Sequence, residues 1–275
     1  MTPRDVIDDP ELLALADRIL ADTGFDIRQY KERPLKRRLA VRMRACQLSS
    51  YAAYAERLRQ DPSEYPRLWD ALTINVTGFY RNPETYAAVQ DRVFPALAAE
   101  ARGGAPLLIW SAGCSSGEEP YSIAILWQEF IAASRVPCQA RIVATDIDAD
   151  SLRKAAAGRY GTSSLTELPP RLLARYFAER GEQYQVDAAT MAMVEFRRAE
   201  LMEPAPFRNV DLIFCRNALI YFSRAAQDAV FGHFAAALRP AGFLVLGKVE
   251  TLLGQSKERF AAYDVKERIY RLNAR

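Results

Sequence analysis

Between Glu11 and Gly24 the apolar residues recur at helical spacing: Leu12, Leu13, Leu15, Ala16, Ile19 and Leu20. Asp9-Pro10-Glu11 supplies an N-cap, a first-turn proline and an acid at the positive helix end, and Gly24 supplies the stop. A second helix is predicted from Pro34, with Leu35, Leu39, Met43 and Cys46 as its apolar stripe. Two more are predicted over 50–60 and 62–75; in the first, Tyr51, Tyr54, Ala55 and Leu58 make a core face. No strand pattern precedes residue 107. After it the period changes. The runs 107–110, 140–145, 211–215 and 243–246 are short and apolar, as buried strands are. Helical stretches are predicted over 82–102, after 118, and over 151–157, 169–178 and 223–238. Segments 183–187 and 191–198 alternate around Ala188-Ala189-Thr190, which predicts an antiparallel hairpin interrupting the βα rhythm. Residues 239–242 read as a turn, and 260–272 as two antiparallel strands.

This order predicts an all-helical N-terminal domain over 1–80. It is followed by an α/β domain over 81–275, built on a mainly parallel sheet with a small antiparallel β-subdomain inserted at about 160–198. Composition narrows the picture. Half of the 275 residues are apolar, as in a globular chain. No apolar run reaches the ~18 residues of a membrane span, and MTPRDVIDDP carries no secretory h-region, so a cytoplasmic protein without membrane insertion is expected. Cys46, Cys114, Cys138 and Cys215 are scattered. The single histidine, His233, argues against a zinc site or a Ser-His-Asp triad, and no metal is expected. A net charge of +3 does not call for nucleic acid. The charge is uneven, however. Arg28, Lys31, Arg33, Lys36, Arg37, Arg38, Arg42 and Arg44 face only Glu32 among their near neighbours. Arg37 and Arg44 fall opposite the apolar stripe. This is either a solvated basic face or a docking surface for an acidic partner.

Candidate chemistry centres on LLIWSAGCSSGEEPYSI, residues 107–123. A strand runs into a turn of small residues with Gly113 and Gly117, then Glu118-Glu119-Pro120 opens a helix. That is the first βα unit of a nucleotide-type α/β fold, with G-x-x-x-G in place of the full G-x-G-x-x-G. Two carboxylates make a poor cradle for a pyrophosphate. They suit a ligand offering positive charge and hydroxyls, and S-adenosylmethionine (AdoMet) offers both. The alternative is a close-packed turn with no ligand. Asp146 ends the second strand, where such folds bind a ribose diol, while Asp148 or Asp150 can cap the next helix. Arg216-Asn217 stands at another strand's carboxyl end. Asn75 and Thr77, two apart before Phe79-Tyr80-Arg81, are spaced to line a site. A nicotinamide-dependent oxidoreductase would want the full glycine fingerprint, and a small-molecule methyltransferase would leave the basic helix without a purpose.

Several segments together resemble the chemotaxis-receptor glutamate methyltransferases, the CheR family, over essentially the whole length. They are YKERPLKRRLAVRM, the N-x-T-x-F-[FY]-R pattern at Asn75, Thr77, Phe79, Tyr80 and Arg81, SAGCSSGEEPYSIA, ATDID and FCRNALIYF. GEEPYS and CRN-x-x-IYF are the most specific. The resemblance implies a class I (Rossmann-like) methyltransferase fold. It implies methyl transfer from AdoMet to glutamate side chains on the acidic helical bundle of a chemoreceptor's cytoplasmic signalling domain, leaving S-adenosyl-L-homocysteine. It also implies cofactor contacts at Asn75, Thr77, Arg81, Glu119, Asp146, Glu200, Leu201, Arg216 and Asn217. Arg81 and Tyr221 take the positions nearest the transferring methyl, and Arg37, Arg38, Arg42 and Arg44 those that dock the receptor. A monomer is expected.

Three departures qualify the resemblance. Glu200 stands where the family carries Asn or Asp. Gly247-Lys248-Val249-Glu250 replaces a G-H-S-E-like segment. The β-subdomain after Phe177 is short, as in members that do not use a pentapeptide tether at the receptor C-terminus. A non-catalytic AdoMet-binding or receptor-docking protein is the alternative these departures leave. The chemistry itself asks little. A glutamate with a pKa of ~4.3 is already ionised at neutral pH, so no general base is needed. Arg81 can hold that carboxylate or the cofactor's own, and Tyr221 can donate to it or pack beside the methyl.

Overall fold

The computed structural model describes residues 7–72, 77–100, 105–252 and 254–273, and the chain divides into two compact units. The first comprises residues 1–75 together with 219–229. Among the described residues of its 1–75 segment the α-helices are Pro10–Thr23, Glu32–Ala45, Tyr51–Gln60 and Glu64–Leu72, and the helix Arg224–Ala237 begins in its second segment. Asp9 caps the first by accepting the Leu12 N–H, and Gly24, at φ +77°, closes it with an N–H to the Leu20 carbonyl. The second helix begins at Glu32, two residues before Pro34. Pro34 sits in the first turn, where its missing N–H has no intrahelical partner to lose. Leu12, Leu15, Ile19, Leu35, Leu39, Tyr54, Leu58 and Leu68 form the buried core of this unit.

The second unit comprises residues 76–218 and 230–275. Its strands are β1 (Leu107–Ala112), β2 (Ala140–Asp146), β3 (Arg159–Gly161), β4 (Phe177–Arg180), β5 (Gln183–Val186), β6 (Val194–Arg198), β7 (Val210–Cys215), β8 (Leu238–Leu246), β9 (Phe260–Asp264) and β10 (Ile269–Leu272). Seven of them form one sheet in the order β6-β2-β1-β7-β8-β10-β9. β10 runs antiparallel to both neighbours, and the other pairings are parallel. Helices Glu118–Ser134 and Ala149–Ala157 follow β1 and β2. Ile109, Ile123, Leu126, Trp127, Ile142, Leu212, Phe214, Phe243 and Val245 belong to one buried core.

Two expectations are corrected. The hairpin of 183–187 with 191–198 does not form. Asp187 caps a short helix, Ala188–Ala192, by accepting the Ala189 and Thr190 N–H groups. That helix carries the chain across to β6, which pairs in parallel with β2 at the sheet edge. β5 instead lies between β3 and β4 in a separate three-stranded antiparallel sheet. Residues 239–242 are not a free turn either. They lie within β8, where pairing with β7 shifts register and Ala241 takes φ +61°.

Candidate active site in the α/β unit

The turn after β1 is tied to the end of β2. The Gly113 and Cys114 N–H groups donate to the Thr145 carbonyl at 2.8 and 2.9 Å. Gly117 takes φ +95°, and a Cβ there would fall 2.8 Å from both the Ala155 Cβ and the Tyr160 hydroxyl. Both the backbone angle and the packing therefore require glycine. Beyond it, Glu118 and Glu119 are buried in the first helical turn. Glu118 accepts from Ser116 Oγ at 2.7 Å and Ser164 Oγ at 3.3 Å. Glu119 accepts from Ser111 Oγ at 2.8 Å and faces Arg216 Nη1 at 3.8 Å.

Burial dominates the electrostatics. It pushes Glu119 up to about 7, against the opposing pull of the Arg216 charge and the Ser111 hydroxyl. It also raises Asp146, although that carboxylate accepts the Ser115 N–H at 2.7 Å and the Asp148 N–H at 3.0 Å. Of the two aspartates offered as caps, Asp148 caps the next helix, accepting the Asp150 N–H.

Arg216 and Asn217 follow β7. Arg216 Nη2 donates to the Arg81 carbonyl at 2.7 Å and to Asn82 Oδ1 at 2.9 Å. The guanidinium thus joins the Thr77–Arg81 segment to the carboxyl end of the sheet. That segment is itself strained. Tyr80 takes φ +55°, its N–H donates to Ser122 Oγ at 3.0 Å, and its ring stacks on Tyr86 at 5.0 Å. The Phe79 N–H donates to the Ser164 carbonyl at 2.8 Å. Asn217 takes φ +60° and donates its N–H to Glu250 at 2.9 Å. The same Glu250 oxygen accepts the Gly247 N–H at 2.7 Å. Leu201 lies near the turn as well: its Cδ1 is 3.8 Å from where a Gly113 Cβ would stand, and its carbonyl meets His233 Nδ1 at 3.3 Å. Glu200 precedes it, half-buried. Asn75 lies outside the described residues.

Ser111 and Ser122 lie within 107–123, but nothing in that segment marks them as partners of Glu119 and of the Tyr80 N–H, and Tyr86 carries no motif. Glu250 belongs to the segment that departs from the G-H-S-E-like pattern. The signal for Glu250 was an acid three residues past a glycine that follows a strand.

The remaining candidates lie in the first unit. Tyr221 ends a 3₁₀ turn, Leu219–Tyr221, and the Arg38 guanidinium sits 4.1 Å from its ring centre. Arg37 and Arg44 are exposed. Arg38 and Arg42 are not available as a docking face. Arg38 is only 6% exposed, and its Nη1 donates to the Leu72 carbonyl. Arg42 donates through Nε at 2.8 Å and Nη2 at 2.6 Å to Glu64, which is wholly buried and also accepts from the Tyr54 hydroxyl at 3.0 Å.

The strand order, with one reversed strand next to an edge, and the polar groups gathered after β1, β2 and β7 define a class I methyltransferase. Residues 75–269 match the model of the CheR methyltransferase SAM-binding domain, and residues 10–73 that of the CheR all-alpha domain. The chain belongs to the CheR methyltransferase family. It is 33% identical over 232 residues to a chemotaxis protein methyltransferase of Listeria monocytogenes, covering 84% of this chain and 86% of that one. It is also 33% identical over 270 residues to a chemotaxis protein methyltransferase of Salmonella typhimurium, covering 94% of this chain and 89% of that one. An uncharacterised 104.1 kDa protein of Rhodobacter capsulatus is 34% identical over 268 residues, 97% of this chain but only 28% of that protein.

The residues present fit AdoMet. Arg216 Nε and Asn217 Oδ1 are buried without hydrogen-bond partners among the described residues, which leaves a donor and an acceptor for a ligand. The acids Glu119 and Asp146 suit a ligand that offers positive charge and hydroxyls, as AdoMet does. A pH dependence follows. Glu119 is raised above its ordinary 4.5, so its contribution to the stability of the free protein is present below about 4.5 and is lost as pH rises through about 7. A cationic ligand favours the carboxylate. AdoMet binding is therefore expected to release a proton near pH 7 and to tighten as pH rises through that value. Calorimetry in buffers of different ionisation enthalpy reads the proton, and Glu119→Gln removes it.

Proposed function

We propose that this protein transfers a methyl group from AdoMet to glutamate side-chain carboxylates of methyl-accepting chemotaxis receptors, giving methyl esters. The observation that carries this reading is Arg216, which links Glu119 after β1 to the backbone of Arg81 and to Asn82. The relatives named as chemotaxis protein methyltransferases support the substrate class.

When bound, AdoMet supplies a methyl carbon made electrophilic by its sulfonium. Asn75, Thr77, Arg81, Glu119, Asp146, Glu200, Leu201, Arg216 and Asn217 are the residues that would hold it. The acceptor glutamate is already ionised, so no side chain has to remove a proton. What the protein must supply is orientation, worth up to about 7–11 kcal/mol when ideal. The planar fork of Arg81 is suited to one carboxylate edge, and Tyr221 to a single oxygen. Gripping the oxygen that does not attack keeps the other nucleophilic.

Arg37 and Arg44 steer the acidic receptor helices. Raising salt, or making Arg37→Glu with Arg44→Glu, is expected to raise KM for the receptor and leave kcat unchanged, because exposed charges are screened over ~8 Å at physiological ionic strength. Initial rates over a salt series check this, and a flat profile removes these arginines from docking. β3, β4 and β5, of three, four and four residues, form a small subdomain consistent with action independent of a receptor tether. We place the enzyme in the cytoplasm as a monomer.

The deciding experiment is transfer of radiolabelled methyl from AdoMet to purified receptor signalling domains with and without their C-terminal tails. Base-labile label on both is the expected result. Label only on the tailed form overturns tether independence. No label, with AdoMet bound, overturns catalysis.

A further inference from the structure

The Leu219–Tyr221 turn is held by the N-terminal helical unit to which it belongs. The Tyr221 carbonyl accepts the Lys31 N–H at 2.8 Å, and the Ile220 carbonyl accepts Lys31 Nζ at 2.9 Å. The Ser223 N–H donates to the Gln29 carbonyl at 2.7 Å. Phe222 stacks on Tyr30 with ring centres 4.8 Å apart. These contacts fix the backbone around Tyr221. They do not themselves set the plane of its ring. The group against that ring is Arg38, its guanidinium carbon 4.1 Å from the ring centre. Arg38 is buried, with one nitrogen donating to the Leu72 carbonyl and Nη2 lacking a hydrogen-bond partner among the described residues. A buried guanidinium costs stability unless its surroundings compensate it. The tyrosine face is the electron-rich surface that returns part of that cost.

We propose that Arg38 is a positioning residue for Tyr221: lying against the ring, it fixes the ring plane and with it the direction of the hydroxyl. The proposal rests on the reading of Tyr221 as a catalytic residue. It gives the second helix a task separate from docking: Arg37 and Arg44 face outward, while Arg38, on the same helix, sets a side chain of the reaction.

The test is a double-mutant cycle with Arg38→Met and Tyr221→Ala, read as kcat and KM for a purified receptor signalling domain. Circular dichroism and thermal unfolding check that each variant is folded. Arg38→Met is expected to lower kcat by roughly tenfold to a hundredfold, the scale of a misplaced reacting group, with KM for the receptor little changed. In the Tyr221→Ala background the same substitution is expected to cost nothing further. Arg38→Lys keeps the cation without the flat face and is expected to fall between. It also carries the cycle should the methionine variant not fold. Losses that multiply in the double variant overturn the proposal. So does a rise in KM at constant kcat, which would make Arg38 a receptor contact. Wild-type turnover by Arg38→Met while Tyr221→Ala is inactive overturns it alone. Wild-type turnover by Tyr221→Ala removes the catalytic reading of Tyr221, and the proposal with it.

Discussion

Arg216→Met is expected to destabilise the protein by about 3–5 kcal/mol, the usual cost of removing one partner from a buried charged pair. The substitution keeps volume and loses three attachments: Glu119, the Arg81 carbonyl and Asn82 Oδ1. The loss should depend on pH. In the wild type, burial pushes Glu119 up to about 7 while Arg216 pulls it down. Without that cation Glu119 moves further up. A buried acid with a raised pKa destabilises the fold as pH climbs through its value. The variant is therefore expected to lose more stability at pH 8 than at pH 6, where Glu119 is protonated and needs no partner. Urea unfolding at the two pH values measures this. An equal loss at both would mean that the bonds to Arg81 and Asn82 carry the effect.

Arg81→Ala is expected to lower methyl transfer by roughly 10²–10³-fold, as loss of one preorganised donor does in other enzymes. The backbone at this position is anchored independently of the side chain. The Arg81 carbonyl is held by Arg216, the neighbouring Tyr80 N–H by Ser122, and the Asn82 N–H by Glu167 at 3.0 Å. Truncation should leave the segment in place, so the thermal midpoint should hardly move while turnover collapses. Single-turnover rates with labelled AdoMet separate this from weakened cofactor binding. Near-wild-type turnover removes Arg81 from the reaction.

These two arginines differ in how readily the sequence disclosed them. Both stood in motifs, yet nothing in FCRN says that its arginine is spent bridging a second segment. The acids were easier. Glu118 and Glu119 open a helix after a glycine turn, and Asp146 ends a strand, so their type and place already argued for a cationic, hydroxylated ligand. Local periodicity also located most elements of both units. It failed where the partner is remote. Residues 183–187 and 191–198 alternate equally well whether they pair with each other or with β3, β4 and β2, and alternation does not name the neighbour. Likewise, a run of arginines shows one sign of charge along the chain. It does not show that Glu64, from a later helix, consumes Arg42, or that Leu72 and Tyr221 surround Arg38. Only Arg37 and Arg44 retain the exposure that helical spacing predicted for them.

The N-terminal unit is discontinuous, completed by residues 219–229. As the chain leaves the ribosome, the four helices emerge early, but Tyr30 has no Phe222 to stack on and the Gln29 and Lys31 backbone has no strand-like partner until the ribosome has passed residue 223. The first unit begun is thus finished only after β7 of the second has been translated. Excising residues 1–75 as a separate module would leave it permanently in that nascent state.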